Sequence, residues 1–160
     1  MLATLMIRVS AIAALSLAFA GCAPYPRDTA DSSSRGAQFG LTVGASADPP
    51  YVVIGPDNTV SGSDAAIVER FARAHAFQVH WVVGGHDSLM AQLEDARLHL
   101  VIGGHAKDSP WEPKVGWSRE IQTRERPPSP LVIRRFAMPP GENAWHVLLD
   151  RYLVAHESAR

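Results

Sequence analysis

LTVGASADPPYVVIGPDNTVSGSD, residues 41–64, decides how the chain folds. Leu41 to Ala45 is a short apolar run that opens a strand spanning Phe39 to Ala45, and Asp48-Pro49-Pro50 is a turn. Tyr51-Val52-Val53-Ile54 is a second extended run. Gly55-Pro56-Asp57-Asn58 turns the chain into Thr59-Val60, which predicts a hairpin. Ser63 or Asp64 then caps a helix running to about His75, with Ile67, Val68, Phe71 and Ala74 on one face and Glu69, Arg70 and Arg73 on the other.

Downstream, the apolar period changes twice. Phe77, Val79, Trp81 and Val83 alternate with Gln78, His80 and Val82, which predicts a half-buried strand. Asp87 or Ser88 caps a helix carrying Leu89, Leu93 and Ala96, and Leu98 to Ile102 is a strand ending in Gly103-Gly104. The order strand, hairpin, helix, strand, helix, strand predicts an α/β fold with a mainly parallel sheet and helices on both faces. Lys107 to Pro130, dense in proline, tryptophan and charge, reads as loop. Leu131 to Ile133 reads as a strand, and Glu142-Asn143 as the cap of a last helix on which Trp145, Leu148, Leu149, Tyr152 and Leu153 share a face.

Composition limits the partners. The 160 residues are 46% apolar and 19% charged with a net charge of −1, globular material for one domain with no field that would attract nucleic acid. Val9 to Ala20 is an apolar run after a single positive charge, too short for a comfortable membrane span and of the kind found in secretory signals. It ends in Leu17-Ala18-Phe19-Ala20-Gly21-Cys22, which resembles a bacterial lipobox. Cys22 is the one cysteine of the chain, so no intramolecular disulfide can form. The expected organisation is a signal peptide over residues 1–21, a lipidated Cys22 with a flexible tether over 22–38, and a domain over 39–156.

Several segments together resemble the first lobe of bacterial extracellular solute-binding proteins of family 3. They are Leu41 to Gly44, Pro50-Tyr51, Val60 to Asp64, Ser88 to Leu93, His99 to Gly104, Ser109-Pro110-Trp111, Val115 to Glu120 and Val132 to Leu153. The resemblance implies one lobe of a periplasmic-binding-protein fold and a receptor for small polar solutes such as amino acids. It further implies an ABC importer permease as partner and a location on the periplasmic side of a bacterial membrane. Where that family inserts its second lobe, between about 121 and 130, this chain has only a short connection. Trp111-Glu112 stands where amino-acid receptors of the family place a carboxylate-binding arginine, Ser63 replaces an aromatic residue, and His99 replaces an aspartate.

Ligands of open parallel sheets bind beyond the carboxyl ends of the strands. The ligand-binding residues expected there are Asp48, Tyr51, Ser63, Asp64, Gly104, His105, Ser109 and Trp111. Tyr51 can stack on a flat or cationic solute, and Asp48 or Asp64 can pair an ammonium. Equally, Asp64 can simply cap its helix, Tyr51 can pack under the hairpin, and Trp111 can be an exposed plug. Arg119, Arg124, Arg126, Arg134 and Arg135 surround the short connection. They read as a solvated rim, diluted by Glu120 and Glu125, that could touch an anionic partner or lipid head groups.

Seven histidines raise the question of metal, yet they form no i, i+4 helical pair and no cysteine joins them. A zinc site from His86, Asp87 and His105, supporting a metal-dependent hydrolase, is the weakest reading. Gly-x-Ser-x-Gly, P-loop and Gly-x-Gly-x-x-Gly motifs are absent, so no cofactor and no enzyme activity are expected. The leading reading is a membrane-anchored, transport-associated receptor that binds a polar solute on one lobe. Its alternative is an adaptor lipoprotein that docks a membrane partner without solute.

Overall fold

The computed structural model describes residues 26–105, 109–124 and 131–157. The signal segment and Cys22 lie outside these, as does Arg126. The central sheet has five strands: β1 (Leu41–Ala45), β4 (Val79–Val83), β5 (Leu100–Ile102), β6 (Gly116–Trp117) and β9 (Ala137–Met138), in the order β4-β1-β5-β9-β6. β1 runs parallel to β4, Leu41 opposite Val79, and parallel to β5, Val43 opposite Leu100. β9 is antiparallel to both β5 and β6, so the sheet is mainly parallel on one side and mixed on the other.

Helices cover both faces. α2 (Ser63–Ala74) and α4 (Asn143–Glu157) bury Ile67, Val68, Phe71, Trp145, Leu149 and Leu153 against Leu41, Val43, Leu100 and Ile102. On the opposite face, α3 (His86–Glu94) presses Leu89, Met90 and Leu93 onto Leu98, Val101, Val115 and Ala137. Each large apolar side chain buried this way contributes about 1.5–3 kcal/mol. The last helix returns to the sheet as its periodicity predicts, and Trp145 Nε1 donates to the His99 carbonyl at 2.7 Å. His99, buried at the start of β5, accepts from the Thr42 amide through Nδ1 at 3.0 Å and so ties β5 to β1.

The hairpin forms as β2 (Val53–Ile54) and β3 (Val60–Ser61), paired antiparallel around Gly55 to Asn58. Several expectations need correction. Lys107 to Pro130 is not all loop: β6 lies within it, and β7 (Ile121–Arg124) pairs with β8 (Leu131–Arg134) as a separate two-stranded ribbon. Alternation is hidden in so short a strand beside prolines. The capping residues also differ. Gly62 and Gly85 occupy the N-cap positions of α2 and α3, without a side-chain cap bond.

The stretch expected to be a flexible tether is folded from Ser32 onward, as α1 (Ser32–Phe39). Glu142, expected as a cap for α4, is instead buried and accepts from the Ala30 and Ser32 amides at 2.6 and 2.8 Å. Asp28 caps α4 from across the chain, accepting from the Trp145 amide at 2.8 Å. Burial works against its charge, but hydrogen bonds from Ser33 and Trp145 hold its carboxyl below the usual carboxylate range. Polar side chains bonded to distant backbone fold this segment, and low apolar content conceals that. Phe39 consequently ends α1, largely exposed, rather than starting β1.

Candidate functional site

The loops after β1 and β5 meet at the carboxyl ends of those strands. Ser46 N donates to the Ile102 carbonyl at 3.0 Å, continuing the ladder past β1. Gly103, at φ +81, passes so close that a Cβ there would lie 2.1 Å from the Ser46 carbonyl oxygen. A larger residue would push the two loops apart. The Gly104 amide reaches back to the Asp48 carboxylate at 3.3 Å.

Across this junction the hairpin hands the chain to α2. Gly62, at φ +106, lies against Tyr51, whose carbonyl would be 2.3 Å from a Cβ, and the Asp64 amide donates to that carbonyl at 3.0 Å. Asp64 is thereby placed in the first turn of α2, its side chain 3% exposed. It is not a cap. Its carboxylate pairs with the guanidinium of Arg134, whose side chain is 8% exposed, and that guanidinium lies 4.2 Å from the centre of the Tyr51 ring. Pairing offsets the desolvation of both charges, and the ring face adds cation–π attraction.

Asp48, Asp64, Gly103, His105, Arg134 and Arg135 line a small open cleft of about 20 Å³. Arg135 forms two 3.0 Å bonds to Glu112 and sits 4.7 Å over the Trp117 ring. Burial pushes the His105 imidazole down to about 4, so it is neutral near pH 7. Its Nε2 sits 3.0 Å from the Val101 carbonyl, which can only accept. That assigns the proton to Nε2 and leaves Nδ1 to accept from His86 Nε2 at 3.1 Å.

Of the residues expected at a ligand face, the structure brings Asp48, Asp64 and His105 to the cleft, with Tyr51 and Gly104 touching its members. The rest lie elsewhere. Ser63 is exposed on α2, and Ser109 is buried, its hydroxyl accepting from the Trp111 amide at 3.3 Å. Trp111 is half-buried rather than an exposed plug: it packs on the α3 face and donates to Asp87 at 2.9 Å. The arginines are not a uniform solvated rim either. Arg134 is buried and Arg135 is tied to Glu112, because β8 turns them toward the cleft. His86 and His105 do meet, but Asp87 engages Trp111. Among the described residues no group of three His, Cys, Asp or Glu side chains could hold a metal ion.

No family model matches the sequence, and no curated protein is similar to it at a significant level. Solved structures do match. An arginine-bound point mutant of domain 1 from TmArgBP superposes with a TM-score of 0.66 at 18% identity, covering 79% of this chain and 98% of that one. An ancestral cationic amino acid solute-binding protein gives 0.63 at 12% identity, over 79% and 93% of the two chains. A truncated arginine-bound ArgBP from T. maritima gives 0.61 at 14%, over 76% and 99%. The sheet order, the helices on both faces and these matches agree: the chain has the single-lobe fold seen in domain 1 of the arginine-binding protein TmArgBP.

Proposed function

We propose that this domain is a transport-associated receptor that binds a small polar solute in the cleft between Asp48, Asp64, His105 and Arg134. The observation that carries this is the buried Asp64–Arg134 pair stacked on Tyr51, a charged recognition element at the carboxyl ends of β1 and β5. The arginine-bound state of the isolated domain 1 from TmArgBP supports solute binding by one lobe. Binding rather than catalysis is the role this arrangement serves. Membrane attachment through lipidated Cys22, a periplasmic location and a permease partner belong to the same proposal and rest on the lipobox resemblance and on the fold.

A thermal-shift screen of polar amino acids and small ions tests it. A true ligand at a hundredfold excess over its Kd stabilises by about 2.7 kcal/mol. Asp48→Asn should abolish that shift. One observation favours the adaptor reading instead: the cleft encloses only about 20 Å³, far less than the roughly 300–1,000 Å³ of most ligand pockets. Silence across the screen together with a membrane protein cross-linked to the cleft face would decide for it.

A further inference from the structure

We propose that His86 and His105 form a binding site for a borderline divalent transition-metal ion, zinc, nickel or copper(II), held by His86 Nε2 and His105 Nδ1. The two atoms face each other at 3.1 Å, where the loop after β5 meets the N-terminus of α3. Nitrogens that each stand about 2.0–2.1 Å from a tetrahedral zinc lie about 3.3–3.4 Å apart, so the pair is already close to the spacing of two ligands on one ion. The site uses neither Asp64, Arg134 nor Tyr51, and it does not rest on the solute-binding reading.

Both outer nitrogens are placed as well, which separates this pair from a chance meeting of histidines. His105 Nε2 donates to the Val101 carbonyl at 3.0 Å, which turns the unprotonated Nδ1 toward His86. His86 Nδ1 lies 3.6 Å from Asp87 Oδ1, and the Trp111 indole donates to that same oxygen at 2.9 Å. The Trp111 hydrogen bond holds the Asp87 carboxyl below the usual carboxylate range, so a charge stands behind His86. A backbone carbonyl behind one imidazole and a carboxylate behind the other is the outer shell that orients metal-bound histidines. The His105 ring also stands edge-on to Trp117, 5.0 Å between centroids, which fixes its plane.

Charge and protons balance. Asp48 faces His105 and favours a cation, whereas Arg135, the opposing charge, is tied to Glu112 by two 3.0 Å bonds. Without the ion, His86 donates its Nε2 proton to His105. Binding moves that proton to His86 Nδ1, facing Asp87, and frees Nε2, so the neutral pair releases none. Imidazole nitrogens suit zinc, nickel and copper, whereas magnesium and calcium take oxygen ligands. Two side chains leave the remaining positions open to water or to donor atoms of a bound molecule.

The test titrates the full chain with zinc chloride and nickel chloride against a competing chromophoric chelator, with magnesium as control, beside His86→Ala, Asp87→Asn and His146→Ala. Wild type should bind zinc and nickel saturably and ignore magnesium. His86→Ala should weaken binding at least about tenfold and Asp87→Asn about tenfold. His146→Ala, which removes a helical histidine 3.3 Å from Asp150, should leave it unchanged. In histidine nitrogen spectra, zinc should move His86 Nε2 and His105 Nδ1 together while His105 Nε2 keeps its proton; this readout needs no variant to fold. Wild type without saturable zinc binding, binding that His86→Ala leaves intact, or shifts confined to other histidines overturns the proposal. None of these results bears on the amino-acid screen, and a silent amino-acid screen leaves the metal site standing.

Discussion

The indole of Trp145 donates to the backbone carbonyl of His99 at 2.7 Å, fastening the C-terminal helix to the residue that leads into β5. His99 itself, through Nδ1, holds the Thr42 amide of the neighbouring strand. One aromatic residue thus bridges the returning helix and the parallel core, and this lets one lobe close its own hydrophobic face. Trp145→Phe should keep most of the packing but orphan a buried carbonyl, at a cost of about 1–3 kcal/mol. Trp145→Ala should cost about 3–5 kcal/mol through the cavity. Urea denaturation followed by circular dichroism measures both, and an unchanged stability of Trp145→Phe would mean that the hydrogen bond is worth nothing.

The N-terminal segment is clasped by Glu142. Glu142→Ala would leave the Ala30 and Ser32 amides without their carboxylate, lowering stability by about 1–3 kcal/mol. Hydrogen exchange should accelerate at Ser32 and along α1 more than in β1. Uniform acceleration across the domain would show that the segment does not open separately.

Acid should destabilise the fold before its carboxylates titrate. His99 and His105 are both held down to about 4, each first of all by burial, against about 6.5 in an unfolded chain. Between those values the unfolded chain binds protons that the native state refuses. Stability is therefore full above about pH 6.5 and falls toward pH 4, each histidine contributing at most about 1.4 kcal/mol per pH unit. Asp28, whose pKa is lowered, adds a further loss below the ordinary carboxylate range. Denaturant midpoints at pH 7.5, 5.5 and 4.5 check this, and a flat profile from 7.5 to 4.5 contradicts it.

Gly103→Ala should separate the two loops that form the cleft. Its Cβ would lie 2.1 Å from the Ser46 carbonyl at a positive φ, so a loss of more than about 1 kcal/mol is expected. Chemical shifts should change at Ser46, Asp48 and Gly104 rather than at Leu89 on the opposite face.

Much of this was legible from residue order. The spacing of Ile67, Val68 and Phe71 and of Trp145, Leu149 and Leu153 named the covering helices, and the runs at Val43 and Val101 named the strands they cover. Local patterns failed where distant polar groups decide. Ser32 and Asp28 sit in a stretch with little apolar content, and groups such as Glu142 and the Trp145 amide, more than a hundred residues away, fold it. At the cleft, Asp48, Tyr51, Asp64 and His105 were visible because they follow strands or open a helix. Arg134 was not, because a charged residue beside a short connection reads as solvent-facing until a buried carboxylate is found opposite it.

The most direct test of the account is an amide chemical-shift titration of the full mature chain with a panel of polar amino acids. Saturable shifts confined to Asp48, Tyr51, Asp64, Gly103, Gly104, His105 and Arg134 are the expected result. A folded protein whose spectrum stays unmoved by every solute, or moves only on the α3 face around Trp111, contradicts the central claim that this single lobe is a receptor.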